Sequence, residues 1–366
     1  MFFRKDMISE SEVLKALSQV QDPDLRKDIV SLGFIKHLKI KGGDVSFSVE
    51  LTTPACPVKD QLKKECEDRV EALPGVTSVS VVMTANVRSN TSGGNRIQLP
   101  NVRNVIAVAS GKGGVGKSTV TINLAAALAR SGARVGLLDA DIYGPSIPLM
   151  LGTKERPSQT GDKLNPVIKN DIKLMSMGFL VSENQPVIWR GPMVHTALTQ
   201  FLTQVDWGEL DYLLIDMPPG TGDAQLTISQ NAPLSGAIIV TTPQEVSLLD
   251  ARRGLMMFQS VNVPILGVIE NMAGFLVPGS DTIVNIFGKG GGAKIAAELK
   301  VPLLGSVPID PRVVEMGDKG VPVVDAYPDA EVSKVFVRLG GELAAQLSIL
   351  QAQSSGTFKS LNMEWQ

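Results

Sequence analysis

The sequence predicts an α/β protein: a doubly wound, mostly parallel sheet built around a phosphate loop and preceded by a small α+β domain. Three observations carry that prediction. Apolar runs at 105–109, 135–139, 212–216, 237–241, 265–269 and 303–307 alternate with helical patterns. The runs are nearly continuous, as strands covered on both faces require. A glycine-rich loop stands between the first run and a helix, and a polar stretch at 88–96 separates all of this from a smaller unit upstream.

In the upstream unit, 11–20 reads as a helix and Asp22-Pro23-Asp24-Leu25 as a turn. Segments 35–40 and 45–51 flank Lys41-Gly42-Gly43-Asp44, which is a hairpin signal. A helix follows Pro57, with Val58, Leu62, Cys66, Val70 and Leu73 near one face, and 76–82 reads as a last strand. The expected division is residues 1–87 as the small domain, 88–102 as a linker, 103–350 as the large domain and 351–366 as a flexible tail.

Composition narrows the function. The 366 residues carry 35 Lys+Arg against 37 Asp+Glu, a formal charge of −2 that argues against nucleic-acid binding. Only two cysteines are present, too few for a disulfide framework or for a four-thiolate centre within one chain. Any such centre would be shared between subunits. The N-terminus has no apolar signal region, and the longest apolar runs are strand-sized against the roughly 20 residues a spanning helix needs. A cytoplasmic protein without membrane contact is expected.

The strongest motif is Gly111-Lys112-Gly113-Gly114-Val115-Gly116-Lys117-Ser118-Thr119, between the 105–109 strand and a helix over 118–130. This strand–loop–helix setting is what a GxxxxGK[ST] match requires. Glycines let backbone N–H groups turn around phosphate oxygens, and the helix N-terminus adds its positive dipole end. Lys117 is placed for the β/γ-phosphates and Ser118 for Mg²⁺. Lys112 is a second lysine in the same loop, and a solvated lysine is the alternative reading of it.

Carboxylates stand at the ends of two strands, where ligands of open α/β sheets sit. Asp139 and Asp141, two residues apart, lie on one side of an extended segment, so that one can serve Mg²⁺ and the other the attacking water. Asp216, ahead of Pro218-Pro219-Gly220, is the expected second Mg²⁺ partner, and the turn after it a γ-phosphate sensor. Helix capping and turns are the competing roles for each aspartate. Asn271 and Asp310 follow the later strands and could hydrogen-bond an adenine ring; turn chemistry accounts for them equally well.

These motifs together resemble the deviant Walker A P-loop NTPases, the group of MinD, ParA and the nitrogenase iron protein. Asp141–Ser146, Trp189-Arg190-Gly191-Pro192, the segment 211–223 and 286–292 are similar to the Mrp/ApbC branch, and residues 22–25 and 52–57 to its N-terminal PaaD-like domain. The resemblance implies a homodimer that binds and hydrolyses ATP with Mg²⁺ and transfers iron–sulfur clusters to apo iron–sulfur proteins or works with assembly factors. It assigns Lys117 and Lys112 to the phosphates, Lys112 across the dimer. Ser118, Asp216 and Asp139 go to Mg²⁺, Asp141 to water, and Asn271 and Asp310 to adenine. This chain departs from the family in one respect: the Cys-x-x-Cys that most relatives carry after Glu270-Asn271-Met272 is absent.

Of the two cysteines, Cys56 precedes a helix, where the dipole would favour a thiolate ligand, although a small turn residue is the bland alternative. Cys66 shares the helix's apolar face and reads as core; His195 reads as structural. Competing functions are an ATP-dependent chaperone or metal-handling factor without its own cluster, and a MinD/ParA-like regulatory ATPase.

Overall fold

The computed structural model describes residues 8–89, 96–142, 144–180, 191–277 and 282–354. The chain divides into two compact units, Met1–Arg88 with Ala344–Gln366, and Ser89–Leu343.

In the smaller unit, helix α1 (Glu10–Leu17) starts at a capping box in which the Ser9 hydroxyl accepts from the Glu12 N–H and the Glu12 carboxylate accepts from the Ser9 N–H. Strands β1 (Ile35–Lys41) and β2 (Asp44–Leu51) form the expected antiparallel hairpin. Its turn needs glycine at 42 because φ is +62° there. Helix α2 (Lys59–Glu71) then leads to β3 (Ser78–Ala85), which pairs parallel to β2. Val45, Phe47, Val49 and Leu51 alternate inward along β2 onto Leu62, Cys66 and Val70 of α2 and Val13 and Leu17 of α1.

Among the described residues, the larger unit is built on a nine-stranded sheet. Its strands in chain order are β4 (Val102–Ala109), β5 (Val135–Asp139), β6 (Ile172–Ser176), β7 (Leu210–Asp216), β8 (Gly236–Thr241), β9 (Ile265–Leu276) and β10 (Leu303–Ile309). The spatial order is β6-β5-β7-β4-β8-β9-β10 with every neighbouring pair parallel. Val167–Lys169 adds antiparallel to β6, and Ile283–Val284 antiparallel to the far end of β9. The longer helices are α3 (Lys117–Arg130), α4 (Gly191–Thr203), α5 (Asp223–Asn231), α6 (Glu245–Ser260), α7 (Gly291–Leu299), α8 (Pro311–Lys319) and α9 (Glu331–Ser354), whose residues from Ala344 on belong to the smaller unit.

Both faces of the sheet are covered. Val105, Ala107 and Ala109 of β4 join Phe201, Ile228, Leu255, Phe258 and Ile295 of α4 to α7 in one core cluster. The intervening Ile106 and Val108 point the other way, where the fully buried Val120, Leu124 and Leu128 of α3 pack. Chain order reverses around β4: β5 and β7 lie on one side of it and β8 and β9 on the other. The crevice at its C-terminal end is therefore the switch point of the sheet.

The structure adds to the expected elements. Strand β6 is absent from the sequence reading because Lys173 interrupts its apolar run; the lysine donates to the Trp207 carbonyl at 2.6 Å. β9 runs on to Leu276, past its apolar half, through positive φ at Met272 and Gly274. At the C-terminus, α9 continues past the expected boundary at 350, and Ile349 and Ala352 pack against the core of the smaller unit. The expected linker already contains the start of β4 at Val102; residues 90–95 of it and 355–366 of the expected tail lie outside the described residues. Among the described residues, no helix is long and apolar enough to cross a membrane.

Candidate functional site

The 111–119 loop joins β4 to α3 at the switch point. Gly114 and Gly116 have φ of +80° and +79°, which any side chain would strain. Gly111 is needed for a different reason: a Cβ there would lie 2.1 Å from the backbone carbonyl carbon of Asp250 on α6. Gly116 is the N-cap of α3, and no side chain caps the helix, so its first N–H groups are left to an incoming anion.

Under the loop, the parallel register aligns Ser176, Asp139, Asp216 and Val108 across β6, β5, β7 and β4. Asp216 is fully buried and fully engaged. Its Oδ2 lies 2.7 Å from Lys117 Nζ and accepts from the Ser118 hydroxyl at 2.6 Å, while Oδ1 accepts from Thr121 at 2.9 Å. Lys117 also lies 3.7 Å from Asp141. The turn after Asp216 is sewn to the loop strand, with Met217 N–H donating to Val108 and Gly220 N–H to the Ser110 carbonyl at 3.0 Å.

Asp139 faces inward beneath this layer. It accepts from the Ser176 hydroxyl at 2.8 Å and from the backbone N–H groups of Asp141 and Ile147. Burial, reinforced by the neighbouring Asp216 charge, pushes its carboxyl up to about 7. Both its oxygens are committed to these donors, and Asp141 is the member of the pair that reaches the loop lysine.

The other expected site residues are placed as follows. Lys112 is partly exposed and has no ion pair among the described residues, and its carbonyl accepts from Ser110. Asn271 is buried and donates its amide to the Val115 carbonyl at 2.8 Å. Asp310 caps α8, accepting from Arg312 N–H, and binds the Arg312 guanidinium at 2.6 Å, which holds its carboxyl below the usual range. His195 is exposed on α4, and Cys66 is in the core of the smaller unit.

Cys56 differs from the dipole expectation. The helix behind it starts only at Lys59, and burial, with Asp24 and Asp22 adding to it, pushes the thiol up to about 11. Sequence reasoning missed Ser176 and Thr121. Thr121, one turn after Lys117, carried a weak signal at i+4; Ser176 carried none, because only the sheet register brings it beside Asp139. Tyr143, Trp189 and Arg190, part of the expected motifs, lie outside the described residues.

The comparisons with known proteins decide the family. Residues 101–344 match the model of the NUBPL iron-transfer P-loop NTPase, and residues 10–81 that of an iron–sulfur cluster assembly protein domain. The chain belongs to the NUBPL-type P-loop NTPases. The iron–sulfur cluster carrier protein of Synechocystis is 51% identical over 349 residues, covering 94% of this chain and 99% of that protein. The Deinococcus radiodurans protein of the same name is 45% identical over 92% of this chain and 95% of its own length. Among solved structures, the Archaeoglobus fulgidus nucleotide-binding protein in complex with ADP is 41% identical, with a TM-score of 0.56 over 63% of this chain and 90% of that one. In this NUBPL-type NTPase, the whole 101–344 segment contains no cysteine. Among its described residues, no group of three or more His, Cys, Asp or Glu is arranged to hold a metal ion.

Two measurements check this electrostatic picture. The folded chain keeps a proton on Asp139 up to about 7, whereas the unfolded carboxyl releases it near 3.8. The folded state then binds more protons across that window, so Asp139 lowers the stability of the nucleotide-free protein as pH rises through it and changes nothing further above about 7. Denaturant titrations from pH 4 to 8 should show this decline flattened in Asp139→Asn. Cys56 should be alkylated by iodoacetamide at neutral pH at least ~10-fold more slowly than a free thiol, because little thiolate is present; mass spectrometry of the 52–59 peptide reads the rate.

Proposed function

We propose that this NTPase is an ATP-dependent iron–sulfur cluster carrier: it hydrolyses ATP at the 111–119 loop and passes clusters to apo iron–sulfur proteins. The nucleotide half of this reading rests on the Lys117–Asp216–Ser118 constellation at the C-terminal ends of parallel strands. The donors suit Mg²⁺, since Ser118 and Asp216 offer hard oxygens at bonding distance from each other, with a cation already held beside them. Bound there with ATP, Mg²⁺ would neutralise charge on the β- and γ-phosphoryl oxygens.

The chain's own residues supply the remainder. Lys117 exchanges Asp216 for the β/γ-phosphates, and the glycine loop surrounds them with N–H groups. Asp141 orients the attacking water; Asp139 holds the strand end beneath it. Lys112, unpaired within its own chain's described residues, serves the nucleotide of a partner subunit, which makes the working form a homodimer.

The cargo half is supported by the names of the Synechocystis and Deinococcus relatives. The cluster is cargo passed on to other proteins, and the carrier works in the cytoplasm. With no cysteine in 101–344, the candidate thiol ligand is Cys56, which is only partly buried, whereas Cys66 is sealed in a core. A raised thiol can still ligate, because a metal displaces the proton on binding.

Lys117→Ala should reduce phosphate release from ATP to background; hydrolysis at the wild-type rate would refute the site. After anaerobic reconstitution with iron and sulfide, the wild-type protein should retain iron with visible charge-transfer absorption and pass it to an apo-ferredoxin faster with ATP. Cys56→Ser should retain less. A wild-type protein that takes up no iron would exclude carriage.

A further inference from the structure

The sequence leaves Asn271 open between an adenine contact and turn chemistry; its side chain is turned toward the phosphate loop. It lies where β9 leaves its pairing with Val307 of β10 and enters the bulge at Met272 and Gly274. The side chain is 8% exposed, and Nδ2 donates to the Val115 carbonyl at 2.8 Å. The next residue is Gly116, at φ +79°, where a Cβ would lie 2.2 Å from that same Nδ2. The missing side chain at 116 and the amide of 271 therefore occupy one shared space.

The Val115 carbonyl and the Gly116 N–H belong to one trans peptide, which is planar, so the two groups point in opposite directions. A carbonyl turned into a phosphate cradle would repel the anion; held outward, it aims the following N–H inward. We propose that Asn271 is a positioning residue for the phosphate loop: by anchoring the Val115 carbonyl it directs the Gly116 N–H at the phosphate chain, whatever base that chain carries. The inference rests on the reading of 111–119 as the phosphate site. It predicts that Asn271 contributes to phosphate affinity and not to the choice of base.

The two roles separate in titration calorimetry of the full chain with Mg²⁺ and pyrophosphate, ADP or GDP. Asn271→Ala should weaken all three by one common factor, roughly three- to tenfold for a lost buried hydrogen bond. Asn271→Asp keeps the size but sets a carboxylate against the carbonyl, so its loss should be at least as large; a side chain that merely fills space would tolerate this change. Unaltered pyrophosphate affinity with a falling ADP:GDP preference would overturn the proposal in favour of an adenine contact, and so would no change in any ligand. If pyrophosphate alone binds too weakly to titrate, equal losses for ADP and GDP support the proposal and unequal losses overturn it. Lys117→Ala is the comparator: if it binds all three ligands like wild type, the phosphate-site reading itself fails. Circular dichroism controls for folding, and should Asn271→Ala unfold, the same-sized Asn271→Asp carries the test.

Discussion

Lys117 sets an ammonium 2.7 Å from the fully buried Asp216 carboxylate, and a buried ion pair of this kind survives only where the remaining polar atoms are satisfied. That requirement organises the surroundings. Ser118 and Thr121 take up the other lone pairs of Asp216, and both lie on the first turns of α3 because the loop ends at Gly116. Asp216 is held at the sheet end by in-register pairing with Asp139 and Val108. The glycines of the loop follow from the same constraint: only a chain that can adopt positive φ returns Lys117 onto the strand end it has just left.

The layer beneath answers a second electrostatic problem. Two aspartates in neighbouring parallel strands cannot both carry full charge in a buried site. Here they have diverged in role. Asp216 has the Lys117 ammonium and two hydroxyls, and Asp139 has Ser176, two backbone N–H groups and a raised affinity for its proton. Asp141, the outer member of the pair, faces the loop lysine, and Asp139 faces inward onto Ser176.

The loop is also braced from the far side of the sheet switch. The α6 backbone closes on Gly111, the Asn271 amide on Val115, and Gly220 on Ser110. Contacts from α6 and β9 thus meet the 111–119 loop, and the turn after β7 meets the strand end at Ser110, so elements from both sides of the chain reversal help to shape one anion cradle.

Most strands of the sheet, the phosphate loop and the strand-end carboxylates are legible along the chain, because those signals are local: continuous apolar runs, glycines at fixed offsets, and aspartates that close a strand. The core position of Cys66 was legible for the same reason, from its spacing on an apolar helix face. Which partners each polar group meets is settled by the folded chain. Ser176 reaches Asp139 through sheet register, Asn271 reaches Val115 through a bulge in β9, and Asp310 turns to Arg312 two residues on. Cys56 lost its expected thiolate character because burial outweighs a helix end that begins three residues later. Hydrophobic periodicity is written along the chain, whereas hydrogen bonds and desolvation depend on neighbours that the chain brings together only when it folds.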